Sequence, residues 1–390
     1  MKYPAPRLTA AGTFIVDNSL LLVAGTLAAL VWANLAHPSY ERFAHWVHFG
    51  VNDIGMVFFF ALATKEIIEA TAPDGPLASP KEAAVPLIAA AGGMAGPALI
   101  YVILSQALQR PELSGGWAVP CATDIAFSYM AARLIFPRDH PGIPFLLLLA
   151  IADDAMGLII LAVFYPSGPV SLVAFAALMI PAVGVSMALR RYGIRSFWPY
   201  VFAGGGLSWS AMHFGGLHPA LALVPILPFM PRAERDLGLF DPRERQLPDT
   251  LNRFEHFWRV PVQFILMAFG LVNAGVPLTG MGSGTWIVFL ALLAGKPIGI
   301  LGSTYLAIKA GLRAPGGLSY RDTVVVGVAA GIGFTVALFF ATAAFPPGAE
   351  LDEVKMGALL SFLAAPIAII LGRVVGLRPG SAAVKPPRAP

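Results

Sequence analysis

Charge is what this sequence has least of. Only 12% of its 390 residues are Asp, Glu, Lys or Arg, against roughly 25% in an ordinary soluble domain. Hydrophobic residues make up 57% without counting 40 glycines. So few charges cannot cover the surface of a water-soluble fold of this size, and a mean hydropathy of +0.73 points to repeated membrane crossings. Cysteine is almost absent as well: Cys121 alone excludes an intramolecular disulfide and any zinc site built on several thiolates. No GxxxxGK[ST] phosphate loop is present to drive a pump. There is no basic run or basic helix face, so the net charge of +4 and the pI near 9.2 do not indicate nucleic acid. The first 18 residues carry Lys2, Arg7 and two prolines, with no small-residue cleavage site after a short apolar core. The first apolar segment is therefore expected to stay as a span.

What is present is a series of apolar stretches of 17 to 25 residues bounded by charge, Pro or Gly clusters. Twelve are expected, near 16–36, 52–70, 84–108, 117–136, 143–165, 168–189, 197–213, 215–230, 259–278, 285–308, 322–345 and 356–376. At the join of the seventh and eighth, His213, Gly215, Gly216, His218 and Pro219 crowd together, and a re-entrant pair is the alternative there. With the N-terminus cytoplasmic, 22 of the 26 basic residues fall inside, and only Arg42, Arg110 and Lys355 fall outside. The remaining one, Lys296, lies within the tenth span. This asymmetry obeys the positive-inside rule and would fail if the count slipped by one in mid-chain. The expectation is an all-α polytopic inner-membrane protein with both termini cytoplasmic. Residues 1–15 would form a cytoplasmic N-terminus and 16–376 a single transmembrane domain. Within it, 231–258 would be a cytoplasmic linker with room for an amphipathic helix at 248–258, and the Pro-rich tail 377–390 would be disordered.

Ionisable residues inside spans cost about 2.5 to 3.5 kcal/mol each even on a lenient insertion scale, so they mark function by default. Here they cluster: Asp124 in AVPCATDIAFSY, Asp153 and Asp154 side by side in LLLLAIADDAMGLIILAVFY, and Lys296 in ALLAGKPIGI. Neighbouring helical residues point about 100° apart, so both aspartates of the pair can face one cavity. An ion pair holding two helices together would account for Lys296 and one carboxylate. It leaves two carboxylates needing protons or a bound cation. Carboxylate oxygens suit a hard monovalent cation, and two of them in a shared site repel, so proton and cation compete at the same atoms. Competition for one site with alternating access is exchange.

The helices that carry these charges are interrupted by composition. Pro120 precedes Thr123 and Asp124, and the eleventh span reads VGVAAGIGFTVALFF with Gly327, Gly331 and Gly333. Close packing is one use of such glycines. Unwinding at mid-membrane is another, and it exposes half-helix termini for which Asp124 and Lys296 have suitable opposite signs. GGMAGP at 92–97 and GKPIG at 295–299 are each followed by an interrupted helix, and the two units enter from opposite sides, the pattern of an inverted repeat.

At these residues the chain resembles the NhaA family of bacterial sodium/proton antiporters. The likeness runs from about 12 to 376 and rests on VNDIGMVFFF, GWAVPCATDIAF, AIADDAMGLIILAVFY, LVNAGVPL, GKPIGI and VVVGVAAGIGFTVALFF, in the family's order. It implies a fold with discontinuous fourth and eleventh helices, and electrogenic export of Na+ or Li+ for two protons per ion, with no cofactor. By its motifs, Asp153 and Asp154 would bind ion and protons, Asp154 being the firmer ligand. Lys296 would pair with Asp153, while Thr123 and Asp124 would support the site where the unwound spans cross. Glu66, Glu255 and His256 would belong to a cytoplasmic funnel that sets the pH response.

The sequence also departs from the family. ATKEIIEA keeps Glu66 but introduces Lys65, and RFEHFWRV puts Arg259 where a second histidine is usual. A fixed charge there cannot titrate near neutrality, which would shift or blunt pH dependence. The first external loop, HPSYERFAHWVHFG, has no hairpin signal, so a homodimer would not form through a strand pair there. Altered selectivity such as K+, a sodium-coupled symporter on the same fold, and a channel or structural membrane protein are the competing readings.

Overall fold

A computed structural model describes residues 19–73, 75–232, 249–312 and 316–377. The expected N-terminal segment, the middle of the linker and nearly all of the tail lie outside the described residues. Fifteen α-helices are present among the described residues, joined by 3-10 and π turns, and no strand is found there. They are α1 (Leu20–Leu35), α2 (His37–Phe49), α3 (Met56–Ala70), α4 (Pro80–Ala107) and α5 (Ile125–Ile135). Then come α6 (Gly142–Phe164), α7 (Leu172–Arg191), α8 (Gly205–Gly215), α9 (Thr250–Asn273) and α10 (Ser283–Leu290). The chain ends with α11 (Lys296–Lys309), α12 (Tyr320–Ala330), α13 (Phe334–Ala344), α14 (Ala349–Leu360) and α15 (Ala364–Val375).

Six continuous helical stretches are long and apolar enough to cross a membrane, and a seventh arises if α12 and α13 count as one bent span. The protein is an all-α polytopic membrane protein. On α7, Leu172, Val173 and Ile180 are 71–81% exposed, a face suited to lipid.

Three expectations about elements need correction. The second span does not begin at 52: one helical stretch runs His37–Ala70, from Pro38 in the first turn of α2 through a π turn at Gly50–Gly55 into α3. The eighth expected span is not a helix. Gly216, at φ 80°, ends α8 in the left-handed region, and 3-10 turns at Pro219–Leu221 and Leu227–Phe229 follow. Pro219, Pro225 and Pro228 each remove a backbone donor that a helix would need. The amphipathic helix at 248–258 and the ninth span are a single helix, α9, opened by the Asp249 carboxylate accepting from Asn252 N at 2.7 Å.

The chain falls into two compact units. The first comprises Met1–Ala78, Ala155–Gly280 and Thr342–Pro347. In it α1 packs on α9, with Gly270 against the Leu22 carbonyl. At one place α3 meets α9 through charge: Lys65 bridges Glu69 and Glu255, the latter at 2.7 Å.

The second unit comprises Ser79–Asp154, Met281–Ala341 and Gly348–Pro390. Its centre is the packing of α4 on α11 and the turn before it. Glycines at i, i+4 on both partners permit this. A Cβ at Gly96 would fall 2.9 Å from Gly299 Cα, and one at Gly295 would fall 2.5 Å from Pro97 Cα. Gly92 faces Gly299 whereas Pro97 faces Gly295, so the helices run antiparallel. The two glycine motifs therefore pack against each other, a small-residue seam of the kind membrane helices use. Pro297 explains the π turn Ala291–Gly295: it lacks an N–H and its ring needs room against the preceding turn. Elsewhere in this unit, Glu353 accepts from Gly284 N at 2.6 Å, capping α10, and from the Arg110 guanidinium at 3.3 Å. Arg110 also pairs with Glu112 and donates to Ser283 Oγ at 2.5 Å.

Candidate functional site

The site residues Thr123, Asp124, Asp153 and Lys296 all belong to the second unit. The fourth expected span is broken. A 3-10 turn at Val119–Cys121 is followed by extended backbone through Ala122 to Asp124, and α5 starts only at Ile125. Pro120 cannot propagate an α-helix from its own nitrogen, and the Asp124 side chain offers a cap that stops α5 from extending backwards. The eleventh segment breaks in the same way. α12 ends at Ala330, α13 starts at Phe334, and their axes differ by 53° across Gly331–Gly333. A Cβ at Gly333 would fall 2.7 Å from the Ala122 carbonyl, so glycine lets the two breaks approach.

At this crossing the orphaned ends of the half-helices satisfy one another. Asp124 N–H donates to Ile332 O at 2.7 Å, Thr123 Oγ–H faces Ala330 O at 3.0 Å, and Ser128 Oγ–H donates to Ala329 O at 2.9 Å. The carbonyls of Ala329 and Ala330 lie at the negative end of α12, and Ile332 lies in the break that follows it. The positive ends meet a single carboxylate. Asp124 accepts from Phe127 N at 3.4 Å at the start of α5, and from Thr335 N at 3.3 Å at the start of α13. Thr335 Oγ–H also donates to it. One negative charge thus compensates two helix N-termini, which is how a carboxylate only 7% exposed is tolerated. Phe127, Phe334 and Phe362 close the apolar side, with ring centroids 4.5 to 6.3 Å apart.

Beside the crossing lies a buried trio. Lys296 extends from the start of α11 and contacts the Asp153 carboxylate directly, and its ammonium donates to Thr123 Oγ1 at 2.8 Å. Thr123 in turn lies 2.7 Å from Asp153 Oδ2. All three side chains are at most 1% exposed. Everything converges on Oδ2; Asp153 Oδ1 is buried with no hydrogen-bond partner among the described residues. A charged oxygen left so is costly unless it takes a proton or a cation. Asp154, the next residue of α6, is half-buried. Among the described residues, no three or more His, Cys, Asp and Glu converge as a resident metal centre would require. The oxygen donors here are of the kind that suit a hard cation.

The remaining expected residues lie in the first unit. Glu255 enters the Lys65 bridge, in which the helix partner of that lysine is Glu69, at i+4, and Glu66 is half-buried on the same helix. His256 is exposed on α9. Ser128, Thr335 and Glu69 escaped sequence reasoning. The first two are ordinary hydroxyl residues in apolar helices. Their one signal is position: Ser128 is four residues after Asp124, and Thr335 directly follows the GIGF break.

The sequence profile of the Na+/H+ antiporter 1 family matches residues 15–374. The chain is 46% identical over 371 residues to the Na(+)/H(+) antiporter NhaA of Geotalea uraniireducens, covering 93% of this chain and 96% of that one. It is 45% identical over 378 residues to the protein of the same name from Desulfitobacterium hafniense, covering 94% and 96%. With that of Jannaschia sp. the identity is 44% over 407 residues, covering 93% and 97%. Similarity of this extent takes in both broken segments, the aspartate pair and the membrane lysine, and the chain belongs to the Na+/H+ antiporter 1 family.

Proposed function

We propose that this protein is a Na+/H+ antiporter in which Asp153 and Asp154 bind either the cation or protons. The carrying observation is the Lys296–Asp153–Thr123 trio, buried and held with one carboxylate oxygen unpartnered among the described residues, beside a second carboxylate on the next residue. When Na+ or Li+ takes the carboxylates, the Lys296 ammonium loses its partner, and desolvation then favours release of its proton. Protons entering from the other side reverse these steps. The half-helices that cross at Asp124 supply a bistable element, since their termini are tied by a few hydrogen bonds rather than by continuous backbone.

With two protons entering per Na+ leaving, one net charge moves inward per cycle, and about 2.3 kcal/mol per 100 mV becomes available for extrusion. The basic-residue asymmetry supports placement in the inner membrane with both termini cytoplasmic. Reconstituted into proteoliposomes with a preset ΔpH, the protein should collapse that gradient on a pulse of Na+ or Li+. A pulse of K+ should leave it intact. A voltage-driven Na+ current without proton movement would instead identify a channel.

A further inference from the structure

His140 lies in the short turn between α5, which Asp124 caps, and α6, which carries Asp153 and Asp154. Its ring stacks on Phe136 at the end of α5, with centroids 4.7 Å apart and planes at 22°. The Gly142 N–H, one of the four at the head of α6 that have no partner within the helix, donates to His140 Nδ1 at 3.1 Å. Nδ1 accepts only while it carries no proton, so the neutral ring keeps its proton on Nε2. That nitrogen is 3.9 Å from Oδ2 of Asp322, in the first turn of α12, too far for a hydrogen bond. A second proton on the ring ends the Gly142 bond, sets a positive charge at the positive end of α6 and gives Asp322 a cation to attract. The turn is thereby tied to α6 in one protonation state and drawn to α12 in the other.

We infer that His140 is a positioning residue for the exchange: neutral, it fixes the head of the helix that carries Asp153 and Asp154, and protonated, it releases that head towards the start of α12. The inference rests on the antiport reading. Its residues all belong to the second unit, apart from Glu66, Glu255 and His256 in the first. The far end of α12 supplies the Ala330 carbonyl that Thr123 faces, so both helices that compete for the imidazole lead to the site. The ionisable groups on the elements around the ring are Arg133 on α5, Arg138 and Asp139 in the turn, Tyr320, Arg321 and Asp322 on α12, and Arg373 on α15; the first turn of α6 carries no acid. Burial holds the imidazole below the ordinary histidine value, against the pull of the Asp322 carboxylate. The Gly142 bond is therefore present above the ordinary value and is lost as pH falls through the lowered one.

The test uses the full-length protein in proteoliposomes at saturating Na+, where protons no longer compete for the carboxylates, with ΔpH collapse followed from about pH 5 to about pH 8.5, either side of the ordinary histidine value. His140→Asn keeps an acceptor for the amide two residues on and cannot titrate. Its kcat should match wild type at the alkaline end and exceed it towards the acid end, by at most about fivefold, the equilibrium weight of one hydrogen bond. Asp322→Asn, which still accepts from Ser319 N–H, removes the charge that favours the protonated ring. It should move the acid fall of wild type about half a unit lower, and move nothing in the His140→Asn background. Protection factors of the Gly142, Ile143 and Phe145 amides, with exchange corrected for its intrinsic pH dependence, should fall on acidification in wild type and hold in His140→Asn. If His140→Asn does not insert, His140→Ser, whose hydroxyl makes the same turn more weakly, replaces it with the same expectation. A His140→Asn profile that overlays wild type overturns the inference. So does an Asp322→Asn shift that survives in His140→Asn, or wild-type protection that ignores pH. Failure of the wild type to exchange, with its pH-dependent protection intact, would overturn the antiport reading instead.

Discussion

Replacing Lys296 by Met, similar in length and without charge, isolates the energetics of the buried trio. The Asp153 carboxylate would then keep only the Thr123 hydroxyl, because Oδ1 already lacks a partner among the described residues. Removing one partner of a buried ion pair costs about 3 to 5 kcal/mol. Retention of the Thr123 bond places this case near the lower figure, about 3 kcal/mol. Adding Asp153→Asn removes the stranded charge, and the double variant should recover most of that loss, since neutral replacements of buried pairs are often tolerated. Na+ offers a second route to recovery: at about 100 times its dissociation constant a ligand adds about 2.7 kcal/mol. The gain should be larger in Lys296→Met, where no ammonium competes, than in wild type. Denaturant midpoints in detergent, with and without Na+, complete the double-mutant cycle. Equal stability of the single and double variants would refute the reasoning, as would a Na+ response no larger in Lys296→Met than in wild type.

Other outcomes follow from the same geometry. Gly299→Ala would set a methyl against the Gly92 carbonyl and within 3.2 Å of Gly96 Cα, forcing α4 from α11. Overpacking of this kind costs about 1 to 3 kcal/mol, read as a lowered midpoint in a protein that still inserts. Thr335→Val would leave Asp124 Oδ2 with the Thr335 N–H at 3.3 Å and remove a bond to a charged group. Such a bond is worth about 1.5 to 3 kcal/mol, and both midpoint and exchange rate should fall. At the α10 end, the Arg110 hydrogen bond holds the exposed Glu112 carboxyl below its usual range. A lowered carboxylate contributes its stabilisation above its ordinary pKa and loses it as pH falls through the lowered value. Protection factors of the amides at residues 108–116, with exchange corrected for its intrinsic pH dependence, should therefore fall on acidification, and Arg110→Gln should remove that dependence.

Much of the site was legible because membrane burial makes charge rare. Asp124, Asp153, Asp154 and Lys296 stood out against their apolar runs, and the structure brings Lys296 to Asp153 and Asp124 to the crossing. The break in the eleventh segment was readable from GIG, since close approach to Ala122 requires the missing Cβ. Element boundaries were harder. Polar residues in α2 masked a helix that continues unbroken into α3, because hydropathy reports lipid exposure rather than backbone geometry. The stretch 215–230 was apolar enough for a span, yet its prolines and Gly216 remove the backbone continuity of a helix. Ser128 and Thr335 gave no compositional signal. A hydroxyl residue is common in membrane helices, and only the meeting of two broken helices turns it into a cap.

The central claim is that the adjacent aspartates carry the exchange. Asp154→Asn, reconstituted at wild-type density in proteoliposomes with a preset ΔpH, tests it most directly. Collapse of the gradient on a Na+ pulse should be abolished while the variant inserts and unfolds like wild type. Unimpaired collapse in Asp154→Asn would contradict the account.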